Sequence, residues 1–207
     1  MYAPKYARQE DPEELKRFVR ENGFAVLFSI VDGKPWATHV PLSLSDDGSK
    51  LTGHVSRANR QWKDFNNGSD VLAVFTGPHA YISSSWYDHE NVPTWNYLAV
   101  HVSGNIRMIE GDALISHLKE LVDQYEKHSA NPVSVEKMTQ KFLTDEIRGL
   151  VAFEIIISKI EGAYKLSQNR DETNHRAIVT ALEKRQDEGS KKVAEAMKID
   201  RSKKLSS

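Results

Sequence analysis

The chain has 207 residues, 39% of them hydrophobic and 28% charged, which is enough apolar material for one sizeable core with or without a helical appendage. Its formal net charge of −1 gives no overall nucleic-acid signature, and the absence of cysteine excludes disulfides, iron–sulfur clusters and thiol nucleophiles. Neither a signal-peptide core nor an apolar run of membrane-spanning length is present, so we expect a cytoplasmic protein without membrane contact.

The first half of the chain predicts one helix followed by short strands. A capping pattern indicates a helix over 11–22. An Asp-Gly pair at 32–33 predicts a hairpin between strands at 24–31 and 36–42. The remaining elements expected here are strands at 50–56 and 71–76, a short helix at 59–67, and a strand break at Gly77-Pro78.

The second half predicts a long strand, a helical insertion and a returning strand. Alternating apolar residues predict a strand at 95–109, and an isoleucine-rich run predicts a buried strand at 151–160. Apolar residues at three-and-four spacing predict a helix between these strands, and the Asn131-Pro132 pair indicates the start of a second one. The helices are expected over 112–128, 132–147 and 171–186.

This order of elements predicts an α+β fold, a small antiparallel β-barrel with peripheral helices. We expect one domain over 1–182 that carries a helical insertion at 111–148. Residues 183–207 are polar and mildly basic, which predicts a frayed helix or a disordered tail.

The segment from His54 to Arg60 is the first candidate site. It runs from a strand end into a helix start, where free backbone N–H groups favour an anion. Arg57 and Arg60 add bidentate guanidinium donors, and Asn59 adds a neutral donor. The segment indicates a phosphate site, with a capped helix and solvated arginines as the alternative.

The second candidate is the serine- and aromatic-rich segment at 77–87. Such a segment can form one side of a binding site for a planar aromatic ligand, with serine hydroxyls donating hydrogen bonds to ring oxygens. The alternative is a tight surface loop pinned by Trp86 in the core. The candidate side chains are Tyr81, Ser83, Trp86 and Tyr87.

Two shorter segments complete the candidates. The long strand opens with Thr94, Trp95 and Asn96, after a proline that suits a strand start. Cations and short amide side chains follow the buried strand predicted at 151–160, and they can reach a phosphate. The alternative is that they are ordinary solvent-exposed charges. These last candidates are Lys165, Gln168 and Arg170.

No metal site or standard nucleotide motif is expected. His39 and His54 lie on polar faces of neighbouring predicted strands, but no HExxH, His-x-His or paired carboxylates accompany them. GxGxxG, Walker and GxSxG motifs are absent, and no catalytic residue stands out.

Six segments stand in a distinctive order along residues 2–170. They are YAPKY at 2–6, ATHVPL at 37–42, GHVSRANRQW at 53–62, GPHAYISSSWY at 77–87, VPTWNY at 92–97 and KLSQNR at 165–170. Together they resemble the PaiB family of FMN-binding negative transcriptional regulators.

The resemblance implies a split antiparallel β-barrel of the pyridoxamine-phosphate-oxidase-like kind, a homodimer, and FMN at the dimer interface. It makes 54–60 the phosphate side and 81–87 a wall of the flavin site. Residues 94–96 lie nearby, and 165–170 approach from the second subunit or the rim.

The resemblance also implies regulation, with repression of genes for sporulation and degradative enzymes. Because the sequence shows no helix-turn-helix, we expect regulation to work through the basic tail, through a DNA or protein partner, or through a flavin-linked signal. The alternative function is a flavin-dependent oxidoreductase that uses a reduced nicotinamide. A third is a haem-binding split-barrel protein with a histidine axial ligand.

Overall fold

The computed structural model describes residues 1–205, apart from the side chains at 66, 67, 204 and 205. Within this range the chain forms eight β-strands and five α-helices. The strands are β1 (Arg8–Gln9), β2 (Phe24–Val31), β3 (Lys34–Pro41), β4 (Ser43–Leu44), β5 (Lys50–Ser56), β6 (Asp70–Ile82), β7 (Thr94–Ile109) and β8 (Leu150–Lys165). The α-helices are α1 (Pro12–Glu21), α2 (Gly111–Glu126), α3 (Gln140–Arg148), α4 (Glu172–Glu183) and α5 (Glu188–Leu205). Short 3-10 helices lie at Lys5–Ala7, Arg60–Asn67, Ser84–Trp86 and Val135–Lys137.

The strands form one sheet in the hydrogen-bonded order β3-β2-β6-β7-β8-β5-β4, and β1 pairs with β8. The pairs β2–β3, β2–β6, β4–β5 and β5–β8 are antiparallel. Helices α2 and α3 lie between β7 and β8 in the chain, where the sequence predicted a helical insertion. The predicted α+β class is therefore confirmed.

Tertiary contacts divide the chain into two compact units. Unit 1 contains residues 1–18, 76–101 and the described residues from 161 onward. Unit 2 contains residues 19–75 and 102–160. Strands β6, β7 and β8 each contribute one part to either unit, so the candidate residues on these strands and their loops are divided as well.

Unit 2 buries one face of its strands. In β2, Ala25 and Leu27 are buried while Phe28 and Ile30 on the alternate face are exposed. The rings of Phe65 and Phe153 pack edge to face in the interior, with centroids 5.1 Å apart. Strand β3 also contacts β5, although the two are not neighbours in the hydrogen-bonded order. The two ends of the path therefore approach each other within this unit, as in a split barrel.

The predicted hairpin at 32–33 is confirmed. Asp32 and Gly33 have φ values of 51° and 72°, so both adopt the left-handed conformation that a tight two-residue hairpin turn needs. The flanking residues Val31 and Lys34 pair directly across the two strands.

The predicted start of the second insertion helix at 132 is wrong. Helix α3 begins only after Thr139, whose hydroxyl accepts a hydrogen bond of 3.3 Å from the backbone N–H of Phe142. A threonine cap thus sets the helix start, and the Asn131-Pro132 pair that motivated the prediction lies in the preceding loop.

The predicted break of the strand at Gly77-Pro78 is also wrong, because β6 continues to Ile82. A Cβ atom at Gly77 would lie 2.8 Å from ring atoms of Phe18. Glycine is therefore present here so that an aromatic ring of unit 1 can approach the backbone, and it does not mark a turn.

Unit 1 contains the helical end of the chain. Where the sequence predicted a frayed helix or disordered tail, the structure has the 18-residue helix α5. Val193, Ala194 and Met197 on this helix are buried, as are Ile178 and Leu182 on α4. The composition suggested a solvated tail because this segment has few apolar residues among many charged ones. Those few apolar residues share one face of the helix, and that face packs inside the unit.

Candidate functional site

The fourteen predicted site residues fall into both units. Unit 2 holds those of the 54–60 segment, and unit 1 holds all the others. The structure does not gather either set into a single cluster, and the contacts of each group indicate what it can do.

Arg57 is held by the end of the helical insertion. Its Nε donates to the carbonyl oxygen of Arg148 at 2.8 Å, and its Nη2 donates to that of Leu150 at 2.9 Å. The backbone N–H of Arg57 also donates to the carbonyl of Gly149 at 2.8 Å. Carbonyls at the end of a helix lack internal donors, so at Arg148 the Arg57 side chain satisfies a group that helix geometry leaves free.

Asn59 belongs to a polar network below the 3-10 helix that it caps. Its Oδ1 accepts from the backbone N–H of Gln61 at 3.1 Å, and its Nδ2 donates to Thr38 Oγ1 at 2.8 Å. Gln61 is fully buried and donates to the carbonyl of Leu27 and to Ser29 Oγ. The sequence did not single out Gln61; its burial in this network ties the segment to strands β2 and β3.

Arg60 faces the hairpin between β2 and β3. It forms an ion pair with Asp32, and its guanidinium lies 5.9 Å from the ring centroid of Trp36. Both charged side chains are more than half exposed, so the pair is solvated and contributes little to stability.

His54 contacts a histidine that the sequence analysis did not identify. Its Nδ1 lies 3.0 Å from Nε2 of His117 on α2. Burial lowers the pKa of His54; burial and the neighbouring His54 together lower the pKa of His117 to about 4. The two residues are 63 positions apart, and only the packing of α2 against β5 brings them together, so no local motif could have revealed the pair.

In unit 1, Tyr81 and Trp95 form an exposed aromatic surface. Their ring centroids are 5.9 Å apart in an edge-to-face arrangement, and the ring of His79 lies 6.0 Å from that of Trp95. Trp95 is 53% exposed and Tyr81 is 38% exposed. Such rings offer a stacking surface to a planar ligand.

Lys165 and Arg170 form a second group in unit 1. Lys165 donates to Thr94 Oγ1, and the guanidinium of Arg170 lies 5.0 Å from the ring centroid of Tyr87. Burial, and then the charge of Arg170, lower the pKa of Lys165. Among the residues that the structure describes, neither cation forms an ion pair with a carboxylate. The group therefore presents two positive charges without a counter-ion.

Several unit 1 candidates are already satisfied by neighbouring polar groups. Asn96 is fully buried, donates to Ser167 Oγ at 3.0 Å, and accepts from the same hydroxyl at 3.1 Å. Ser83 accepts from the backbone N–H of Ser85, and Gln168 donates to the carbonyl of Tyr164. These contacts organise turns and the interior of the unit.

Trp86 is covered by a cation that the sequence analysis did not identify. The guanidinium of Arg185 lies 4.9 Å from its ring centroid, and Arg185 also donates to the carbonyl of Tyr81 at 3.3 Å. Arg185 follows α4 in the chain, so this contact links the 81–87 segment to the helical part of unit 1.

Within residues 1–205, no three histidine, aspartate or glutamate side chains stand close enough together to hold a metal ion. No helix in the same range offers an apolar stretch of the length that a bilayer crossing needs.

Comparison with known proteins places the chain in a family. Residues 1–159 match the family described as "Putative FMN-binding domain". "Protease synthase and sporulation protein PAI 2" of Bacillus subtilis (strain 168) is 46% identical over 199 residues, which make up 95% of this chain and 96% of that protein.

Solved structures with much lower identity share the fold. The FAD and heme binding protein from Mycobacterium smegmatis has a TM-score of 0.63 at 17% identity, over 83% of this chain and 79% of its own. The flavocytochrome Anf3 from Azotobacter vinelandii has a TM-score of 0.60 at 18% identity, over 84% and 78%. They confirm the predicted split β-barrel. Together with the match over 1–159 and the nearly full-length B. subtilis relative, this shows that the chain belongs to the FMN-binding domain family, to which its resemblance to PaiB proteins pointed.

Proposed function

We propose that the chain binds FMN through its own side chains and acts as a flavin-responsive negative regulator of transcription. The main support for this binding site is the pair of cations in unit 1, Lys165 and Arg170. Like charges held close together repel, and a bound phosphate offsets that repulsion. The phosphate monoester is the charged part of FMN, so this group fits it.

The aromatic surface of unit 1 fits the other part of FMN. The isoalloxazine ring is planar, and the exposed rings of Tyr81 and Trp95 offer it a face for stacking. Around these rings we propose contacts from four of the remaining candidates of the unit. They are Ser83, Trp86, Tyr87 and Thr94, while Asn96, which is fully buried, and Gln168 hold the neighbouring backbone and side chains in place.

In the proposed homodimer the 54–60 segment supplies the phosphate-side donors of one subunit, and Lys165 and Arg170 approach the same phosphate from the second subunit. Arg57 uses two of its five side-chain N–H donors on carbonyl oxygens, which leaves donors for an anion. Arg60 forms an exposed ion pair and lies near the ring of Trp36, and His54 and Asn59 add neutral donors. When bound, FMN supplies electron transfer, while these residues bind and orient it.

We propose that the chain is a homodimer, supported by an apolar sheet face in unit 2. Phe28 and Ile30 are 39% and 57% exposed and point to the same side of β2. Leu72 on β6 pairs directly with Phe28 and extends this face. An exposed apolar face of neighbouring strands is typical of an interface between subunits.

The regulatory part of the proposal is supported by the B. subtilis relative, whose name refers to protease synthesis and sporulation. At 46% identity over nearly the full length of both chains, we propose a shared role in repressing genes for sporulation and degradative enzymes. We propose that the protein acts in the cytoplasm and reaches its genes through a DNA or protein partner.

The binding proposal is tested by titrating the purified protein with FMN and with riboflavin, which lacks the phosphate. We expect stoichiometric binding of FMN, with riboflavin bound more weakly because the cations then lack their anion. Equal affinities for the two flavins would show that no phosphate site is present. Failure of both flavins to bind would reject the flavin role.

The regulatory proposal is tested by deleting the gene and measuring transcripts of sporulation and secreted-protease genes. We expect these transcripts to rise, and restoration of the wild-type gene to lower them again. Rapid oxidation of a reduced nicotinamide by the FMN-loaded protein would favour the oxidoreductase alternative. A Soret band after haem is added would favour the haem-binding alternative.

A further inference from the structure

The imidazole pair of unit 2 joins the phosphate-side segment to the helical insertion. Nδ1 of His54 on β5 lies 3.0 Å from Nε2 of His117 on α2, a distance at which one ring donates its N–H to the other. His117 is only 2% exposed. The contact therefore lies in the interior of the unit, where its geometry is shielded from water.

The burial of the pair decides which nitrogen carries each proton. Because the pKa of each ring is lowered, both are neutral near pH 7 and each carries one N–H. Nδ1 of His117 is buried and has no hydrogen-bond partner within the described residues. An unpaired buried N–H is rarer in proteins than an unpaired acceptor, which places the proton of His117 on Nε2. His117 therefore donates to Nδ1 of His54.

We infer that His117 is a positioning residue that fixes His54 as the tautomer with its proton on Nε2. The hydrogen bond made by one ring nitrogen decides the protonation of the other. In this form His54 presents an N–H donor on its second nitrogen, as an anionic phosphate requires. In the opposite tautomer the same nitrogen presents a lone pair, which repels the anion. The choice of a phosphate monoester as ligand rests on the proposed FMN function.

The other end of the insertion holds the same segment. The carbonyl oxygen of Arg148, the last residue of α3, and that of Leu150, the first residue of β8, accept hydrogen bonds from Arg57. The insertion thus contacts the segment through α2 at His54 and through the end of α3 at Arg57. This double contact gives the insertion a role in the site although none of its own residues was predicted to touch the ligand.

The first test is nitrogen-15 NMR of the imidazole rings in the protein without FMN. We expect His54 and His117 both to carry their proton on Nε2. In His117→Gln, whose Nε2 can donate from a similar position, His54 keeps this tautomer; in His117→Leu it becomes a mixture. A wild-type His54 protonated on Nδ1 would overturn the inference. Because no flavin is involved, this result is independent of the proposed function.

The second test compares FMN and riboflavin affinities of the same variants. We expect His117→Leu to weaken FMN binding roughly fivefold, the worth of one modest hydrogen bond, and to leave riboflavin binding unchanged. His117→Gln restores the FMN affinity. As a control, Glu120→Gln changes neither affinity, although Glu120 and His117 line the same cavity of about 440 Å³.

Equal losses for FMN and riboflavin would mean that His117 acts only on the fold, and an unchanged FMN affinity in His117→Leu would also overturn the inference. Thermal melts establish that each variant is folded. If the wild-type protein binds no FMN, the proposed function fails, and the tautomer measurement then decides the inference alone.

Discussion

The candidate cations of the two units differ in the partners that they have within the protein. In unit 2, Arg57 donates to the carbonyl oxygens of Arg148 and Leu150, and Arg60 pairs with Asp32. In unit 1, Lys165 and Arg170 lie close together, and no carboxylate in the described part of the chain pairs with either. The cations of unit 2 thus have partners within the protein, and Arg57 stabilises the fold, whereas those of unit 1 leave charge available.

This difference predicts two kinds of mutational effect. Removing a cation that already has partners lowers the free energy of unfolding, because its acceptors lose their donor. Removing a cation that lacks a counter-ion relieves repulsion in the free protein and weakens the binding of an anion. Stability and the ratio of FMN to riboflavin affinity therefore separate the two groups.

The largest expected effect is that of Lys165→Ala combined with Arg170→Ala. Charge-assisted contacts contribute about 1.5–3 kcal/mol each, so FMN binding should weaken by about 100-fold or more. Riboflavin affinity should change little, and stability should stay the same or rise. Isothermal titration with both flavins measures this. As a control, the double variant Lys184→Ala and Lys191→Ala removes the same charge from exposed positions and should not weaken FMN binding. An equal loss of FMN affinity in this control would mean that only the net charge matters.

The sequence predicted several strands well because alternation, an apolar run or a turn pair marks them locally. The hairpin at 32–33 and the buried strand within β8 follow from local patterns alone. The start of α3 and the continuation of β6 through Gly77 could not be predicted, because a competing cap and a close aromatic contact decide them.

The site was predictable as a list of residue types but not as a set of contacts. Arg57 stands in the segment that indicated a phosphate, yet its carbonyl partners lie more than 90 positions away. His117 has no motif around it and becomes significant only through its contact with His54. Long-range packing therefore decides which of the polar residues remain free for a ligand.

The next largest effect concerns the pH dependence of stability. The pKa of His117 is about 4 in the folded protein, against an ordinary value of 6.5. The unfolded chain therefore takes up the proton first as the pH falls below 6.5, and the folded state loses stability until the pH nears 4. At about pH 4.5 this loss amounts to roughly 2–3 kcal/mol.

Denaturant unfolding at about pH 7 and about pH 4.5 measures this loss, and His117→Leu should not show it. His128 is exposed, so His128→Leu should behave as the wild type does. A wild-type protein whose pH dependence equals that of His117→Leu would show that His117 does not titrate in this range.

Arg57→Ala should lower the free energy of unfolding by about 1–2 kcal/mol, because the carbonyls of Arg148 and Leu150 then depend on water. Arg57→Lys keeps the charge but cannot donate to both carbonyls as a planar guanidinium does, so its stability should be intermediate. As a phosphate-side donor, Arg57 should also contribute to FMN binding. An unchanged stability with a lower FMN affinity would show that the carbonyl contacts of Arg57 do not stabilise the free protein, and the contrast between the units would then disappear.

The smallest expected effect is that of releasing Arg60 from its ion pair. The pair with Asp32 is exposed, so Asp32→Asn should change the free energy of unfolding by less than about 1 kcal/mol. Asparagine tolerates the left-handed conformation that Asp32 adopts at φ 51°, so the hairpin is retained. Because Arg60 then lacks its carboxylate, it resembles the unpaired cations of unit 1 and should raise the FMN affinity by about two- to threefold at low ionic strength. Titrations with FMN and riboflavin at low and high salt measure this gain. An equal gain for both flavins, or a gain that persists at high salt, would mean that Arg60 does not face the phosphate.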